Sequence, residues 1–439
     1  MAESGRRNII TCAGLLWWYC ILYPILPSYF IMPGIGAIAF ILNLIVIGVI
    51  VCCNARMPGK LINKTEVTFF VFSVCMIFLN VYHGAVFSAF WFAVTMPVTF
   101  LTFAQHINTT QNLDKIIDGI IVAAAILSVL AIIETLTGFN IFMLLNNSGA
   151  AVLDIKRMGL FRAKSFTYQA ITFGNYLLLV SVLCVYRIVN CDDAKRIKKF
   201  KRMYILLWMA VFCTISRSSI IFFVLCQILL GLALGFGKLI KKIVVVIACL
   251  VVVYIFYFKI LGNDDSFIRT FTYMLLSVFD ESYGAEISGV ANAAGNRTDL
   301  YKWIWDATQG HRIMGMGPSS VFSHDITYGS ALYSATITKT SIEVEYLKCL
   351  YHYGFVGLIL KVIFMITLLV SCLKNGMRDK RTGQKKLSLE LALGIGFLVY
   401  FLSFFTVMQD TESRTFYIMV FIFFAYQRIN RRMQKEEIK

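Results

Sequence analysis

Charge is what this chain has least of. Asp, Glu, Lys and Arg together make up 15% of its 439 residues, against 59% hydrophobic ones, and the mean hydropathy is +0.74. A soluble domain carries about 25% charged residues, so a water-exposed globular surface is excluded. Proline and histidine are also scarce, at 6 and 5 residues, which leaves long apolar stretches free to stay helical. No CxxC, HExxH, Walker or GxGxxG pattern occurs in a usable context, removing the common zinc, nucleotide and dinucleotide chemistries. Between residues 259 and 352 there is no cysteine before Cys349, so no disulfide framework braces that stretch. Nor is there an internal repeat of the kind that marks an inverted-repeat transporter.

What is present is a series of apolar windows separated by Lys/Arg clusters. A crossing takes about 20 mostly apolar residues for roughly 30 Å of hydrocarbon. The windows fall near 9–27, 33–53, 66–82, 84–104, 116–138, 167–189, 203–216, 218–236, 241–261, 353–373, 387–407 and 414–429. The expected fold is therefore all-α: a polytopic membrane protein of about 12 transmembrane helices with one large external loop of partly amphipathic helices. Its expected divisions are 1–258 (the first nine helices), 259–352 (the loop), and 353–439 (the last three helices and a basic tail).

The clusters also set an orientation. Arg6 and Arg7, Arg56 to Lys64, Arg187 to Arg202, Lys238 to Lys242, Lys374 to Lys386 and Arg428 to Lys435 all fall on one side of the alternating count. The positive-inside rule makes that side cytoplasmic, together with both termini, and puts the 259–352 loop outside. The formal charge of +17 is thus an insertion signal rather than a nucleic-acid footprint. Within residues 262–342, acids such as Asp264, Asp280, Glu286 and Asp299 outnumber the bases. The first window has no small-residue cleavage site and reads as a retained anchor.

Three patches on the expected outer side carry chemistry. Lys156, Arg157, Arg162 and Lys164 crowd nine residues where the orientation rule disfavours cations. They suit either lipid headgroups or a bound anion, and guanidinium groups offer phosphate paired donors in a fixed fork. Arg217 sits among Thr214, Ser216, Ser218 and Ser219 at a tight turn, either snorkelling to headgroups or lining an oxyanion pocket. The loop supplies Arg297, then a helical pattern of Leu300, Trp303, Ile304 and Ala307, a Gly315-Met316-Gly317-Pro318 turn, and the returning Glu343 and Glu345. Gly354 and Gly357 follow, where backbone can approach a neighbour closely. His311, His324 and His352 have no metal-ligand spacing. Lys361 lies about 12 Å into its window at 1.5 Å per residue and needs a partner, for which Glu390 and Glu134 are candidates.

These strings resemble the O-antigen polymerase/ligase family. The resemblance rests on Arg157-Met158-Gly159-Leu160-Phe161, Gly174-Asn175-Tyr176-Leu177, Ser216-Arg217-Ser218 and Arg297 ahead of Trp303 and Trp305. It continues through the glycine-proline turn and Glu343…Tyr346-Leu347…Leu350…Gly354…Gly357, over about residues 150–360. It implies a metal-independent glycosyltransferase, without cofactor, in the bacterial cytoplasmic membrane. The implied reaction joins polyprenyl-pyrophosphate-linked oligosaccharide repeat units into capsule, exopolysaccharide or O-antigen chains on the outer face. The family's ligases place a His-Asn pair where Glu343 stands, so the acidic version is more similar to a polymerase. The spacing from Arg162 to Gly174 is one residue longer than the Arg/Gly repeats of some polymerases.

By the same resemblance, Arg217 and Arg297 stabilise the departing pyrophosphate and Glu343, then Glu345, serves as base. Arg157, Arg162, Lys164, Trp303 and His324 bind substrate, and a chain-length regulator and a flippase are the implied partners. Two alternatives stand beside this reading: a ligase transferring glycan to a lipid acceptor, and a lipid-oligosaccharide flippase or transporter. A metal-dependent lipid-linked glycosyltransferase is disfavoured, because the first outer loop, residues 27–33, contains no carboxylate.

Overall fold

The computed structural model describes residues 12–32, 36–52, 63–147, 156–157, 160–235, 241, 295–330, 333–381, 387–409 and 412–437. Helices dominate: α1 (Cys12–Ile25), α2 (Ala39–Cys52), α3 (Lys64–Tyr82), α4 (Val86–His106), α5 (Thr110–Thr137) and α6 (Ala170–Asn190). There follow α7 (Ala194–Cys213), α8 (Arg217–Leu234), α9 (Gly295–Ala307), α10 (Glu345–Arg381), α11 (Leu389–Ser403) and α12 (Ser413–Glu437). Every expected window except 241–261, most of which lies outside the described residues, falls on one of these helices.

Among the described residues, 6 helices are long and apolar enough to cross a membrane: α3, α4, α5, α6, α8 and α10. Helices α1 and α11 are apolar but shorter. The protein is thus a multi-pass helical membrane protein, with the expected count of twelve met in part.

Local rules account for the helix ends. The Thr109 side chain accepts from Asn112 N at 3.3 Å and opens α5, and Gly138 closes it at φ +76, the left-handed cap that glycine adopts without strain. The Asp193 carboxylate accepts from Lys195 N at 2.9 Å to start α7, whose first half is basic. Inside α4, Val94–Val98 widens into one π-turn around Pro97, whose missing N–H interrupts the ordinary ladder.

Packing places α6 at the centre, against α7, α8 and α11, with nearly all of its length buried. Gly174 permits this. A Cβ there would collide with the Ser219 side chain of α8. A second layer of Phe69, Phe100, Phe364, Phe421 and Phe424 joins α3, α4, α10 and α12.

The two ends of the bundle differ. One end holds arginine–carboxylate ion pairs between helices. Arg187 meets Asp114 at 2.9 Å and Asp118 at 2.7 Å, and Arg428 forks onto Glu66 at 2.8 and 3.1 Å. The opposite end, carrying Arg217, Ser403 and Arg414, holds the candidate site.

The fold is mostly helical, as expected, and among the described residues the little sheet in it lies in three places. Three short antiparallel pairs are present, β1 (Ile31–Met32) with β2 (Gly36–Ala37), β3 (Lys156–Arg157) with β4 (Leu160–Phe161), and β5 (His324–Ser330) with β6 (Tyr333–Lys339). The last is a full hairpin with Ile326 opposite Ile337 and Thr327 opposite Thr336, in a stretch rich in the β-branched and aromatic residues that suit strands.

Candidate functional site

Two polar assemblies lie at the Arg217 end, on either side of the last turn of α11. The first joins what the sequence presents as two separate patches. Residues 160–167 are stitched to the turn between α7 and α8: Ala163 N donates to Cys213 O at 2.9 Å, and Arg162 Nε donates to Thr214 O at 3.2 Å. From below, Glu134 of α5 accepts from Lys164 N at 3.3 Å, Ser165 N at 2.9 Å and Asn140 Nδ2 at 2.9 Å. Lys164 is itself buried and close enough to Glu134 for their charges to interact.

Arg217 starts α8 directly after this turn, so a guanidinium stands at a helix N-terminus, where unsatisfied N–H groups already favour an anion. Among the described residues, the non-glycine positions with left-handed φ are Ser165 (50°) and Ile215 (45°), one in each stitched segment. Such backbone clusters at ligand clamps and other functional sites.

The second assembly is a helix folded on itself. Glu345 and Lys361 belong to α10, 16 residues apart, which in a straight helix is about 24 Å. Instead their side chains form a buried salt bridge. The cause is Gly354, at φ 63 and ψ −165, a conformation open essentially to glycine alone. The ladder groups exposed at the break are taken up by residues 312–317: Phe355 N donates to Arg312 O at 2.8 Å and Val356 N to Ile313 O at 3.1 Å. Met316 N and Gly317 N donate in turn to Tyr351 O at 2.8 Å and His352 O at 2.9 Å.

Of the two glycines expected to let backbone approach a neighbour, Gly354 does so, whereas Gly357 makes room for a side chain of its own helix. A Cβ on Gly354 would meet the Ile313 carbonyl, and one on Gly357 the Tyr353 side chain. His83, the residue that caps the end of α3, closes the far side, its Nε2 at 2.8 Å from Met314 O.

Gln409 knits this assembly together. Its N–H donates to Glu345 Oε2 at 2.7 Å, its Oε1 accepts from Lys361 Nζ at 2.9 Å, and its Nε2 reaches Tyr400 Oη at 3.2 Å. Lys361 therefore pairs with Glu345. The candidates Glu390 and Glu134 are engaged elsewhere, Glu390 with Gln427 at 2.9 Å and Glu134 with the 164–165 backbone. The expectation failed because straight-helix spacing conceals the Gly354 fold. The end of α11 ties α10 to α6: Phe404 O accepts from Glu345 N at 3.1 Å, and Ser403 Oγ accepts from Asn175 Nδ2 of α6 at 3.2 Å.

The remaining candidates are placed as follows. Glu343 is partly exposed and faces Lys339 at 3.7 Å, whereas Glu345 is buried and fully engaged. Trp303 stacks on His324 at 4.2 Å between centroids, beside a small core of Leu300, Ile304, Phe322, Val344 and Tyr351. The buried stripe of α9 runs Leu300, Ile304, Thr308, with Ala307 exposed, so the expected face is rotated by one residue at its end. Arg297 lies in the first turn of α9 and Arg157 on β3, opposite Leu160.

Gln409, Tyr400, Asn175, Ser403 and His83 carry no sequence signal of their own. Only Asn175 lies inside one of the strings singled out above.

Residues 203–362 match the family model described as O-antigen ligase. The match runs from within α7 to just past Lys361, so it takes in the Arg217 turn, the first arm of the folded helix and the start of the second. No curated protein matches the chain. Over the matched stretch the chain is similar to the O-antigen ligase/polymerase-like family, and the protein is a multi-pass membrane protein carrying an O-antigen ligase-like domain.

Proposed function

We propose that this protein polymerises polyprenyl-pyrophosphate-linked oligosaccharide repeat units, with the Arg217 end facing the outside of the cytoplasmic membrane. The observation that carries the reading is the stitching of the Arg162–Lys164 segment onto the turn that starts α8 at Arg217. Arg162, with Lys164 two residues on, is thereby brought from 52 positions away onto the turn that leads into α8 at Arg217. A diphosphate needs such an environment twice: to be held, and to be stabilised as charge grows when its bond to the sugar breaks.

In the proposed reaction, a hydroxyl of the incoming repeat unit attacks the anomeric carbon of the growing chain. The new C–O bond forms as the C–O bond to pyrophosphate breaks, polyprenyl pyrophosphate departs with that electron pair, and the hydroxyl proton passes to a carboxylate. Glu343 suits the role of base because its carboxylate is partly exposed, where an acceptor hydroxyl can reach it. Glu345 has both oxygens occupied by Lys361 and Gln409 N, and serves to hold the two arms of α10 together. The Trp303–His324 stack offers a flat aromatic face for a sugar ring.

A second reading, transfer of the glycan to a lipid acceptor, is favoured by the match of residues 203–362 to the O-antigen ligase family. Purified protein in liposomes with lipid-linked repeat units separates these readings. A ladder of elongated glycans is expected. A single transfer to an added lipid acceptor without a ladder would make it a ligase, and translocation without any new linkage would make it a flippase.

A further inference from the structure

Beside the site, a groove of about 830 Å³ runs between α1 and α5. Its α1 wall is Trp17, Trp18, Ile21 and Ile25, and its α5 wall follows the helical period through Val122, Ile126 and Leu130. We infer that this groove holds the isoprenoid tail of the lipid-linked substrate, an inference that rests on the proposed function and names where its lipid half lies.

Length chooses the occupant. From Lys115 to Leu130 the α5 wall extends about 22 Å at 1.5 Å per residue, whereas one leaflet is about 15 Å, half the hydrocarbon thickness. A single phospholipid tail is confined to its own leaflet and covers about two-thirds of that length. A polyprenyl chain reaches through both.

The ends of the groove differ in chemistry. At one end Phe142 lies against Phe166 at 6.2 Å, next to Lys164 and Ser165. The α5 wall continues one turn beyond Leu130 to Glu134, which holds the backbone of those two residues. A tail in the groove therefore places its anionic head beside Arg162 and Lys164, with Glu134 the opposing charge already engaged. The other end closes on Lys115, Asn112 and Asp118, where Trp17 Nε1 donates to Lys115 O at 2.9 Å and Asp118 binds Arg187 and Arg196. The flank at Trp18 and Ile126 is exposed, which opens the groove sideways to the bilayer so that a lipid can enter without leaving the hydrocarbon.

The test uses the full-length protein in phosphatidylethanolamine/phosphatidylglycerol nanodiscs with long-chain polyprenyl pyrophosphate carrying a mid-tail diazirine. After irradiation, mass spectrometry should find the label concentrated on α1 and α5 within the groove, displaced by unlabelled polyprenyl pyrophosphate and not by excess phospholipid. Val122→Trp, which fills the groove, should reduce that labelling and raise the KM for lipid-linked substrate at least tenfold. Ile133→Trp, on the same helix outside the groove, should change neither.

Label spread evenly over lipid-facing helices, equal displacement by phospholipid, or an unchanged KM in a folded Val122→Trp protein would overturn the inference. Groove labelling in a protein that forms no glycosidic bond would instead support the groove and count against the polymerase reading.

Discussion

Glu345 and Lys361 form a salt bridge within one helix although 16 positions separate them, and Gln409 bonds to both. The pair acts as a clasp across the fold in α10. Both partners are removed from water, so losing either leaves the other charge buried and unpaired, which costs about 3–5 kcal/mol. Lys361→Met and Glu345→Met should each lower the unfolding temperature in detergent markedly, while the double variant should recover most of the loss. A double variant as unstable as the sum of its singles would show that the clasp is not the shared cause.

The bend itself is testable separately from the clasp. Gly354→Ala meets two penalties: a backbone region costing about 1–3 kcal/mol for other residues, and a collision with the Ile313 carbonyl. Gly235→Ala meets only the first, since Gly235 has φ +113 and nothing within 4 Å of a Cβ. Thermal scans should therefore rank Gly354→Ala well below Gly235→Ala. Equal losses would mean that residues 312–317 yield easily.

The cation cluster predicts a graded effect on rate. Loss of one preorganised donor at a developing charge costs about 10²–10³-fold, so Arg217→Ala should cut chain extension by that order with insertion and abundance unchanged. Arg217→Lys should recover only part, because a point charge lacks the paired donors of a guanidinium. Near-normal polymer from Arg217→Ala would reduce this arginine to a membrane-face anchor.

The two glutamates should separate cleanly. Glu343→Gln is expected to keep its unfolding temperature and substrate binding yet accumulate single lipid-linked repeat units. Glu345→Gln is expected to lose thermal stability. Long polymer at the normal rate from Glu343→Gln would remove it as base, and His324 would be examined next.

Orientation can be read by labelling single cysteines in intact cells. Positions 195 and 380 should resist an impermeant maleimide, and position 298 should react. The reverse pattern would invert the whole arrangement and place the site in the cytoplasm.

How much of this was legible in the sequence differs from one element to the next. Apolar length and basic punctuation located the helices, because crossing the bilayer imposes both independently of tertiary contacts. The close approaches at Gly174 and Gly354 were signalled by glycine, but what approached them was not. Period arguments run along a single element, so they could show neither the Glu345–Lys361 clasp nor the joining of Arg162 to Thr214 across 52 positions. The β5–β6 hairpin was missed for another reason: one amphipathic helix at 295–307 coloured the reading of the whole loop, although Ile326, Thr327, Thr336 and Ile337 carry a strand composition.

The fork between Arg428 and Glu66 constrains the order of assembly. The partners are 362 positions apart, so at about 5–20 residues per second of synthesis the carboxylate on α3 waits roughly 20–70 s for its arginine. Throughout that interval the nascent protein lacks the arginine that forks onto this buried carboxylate in the finished bundle. The last helix therefore works as the closing latch of biogenesis. Chains that end before it should remain open assemblies exposed to membrane quality control, even though they already contain every residue of the two polar assemblies.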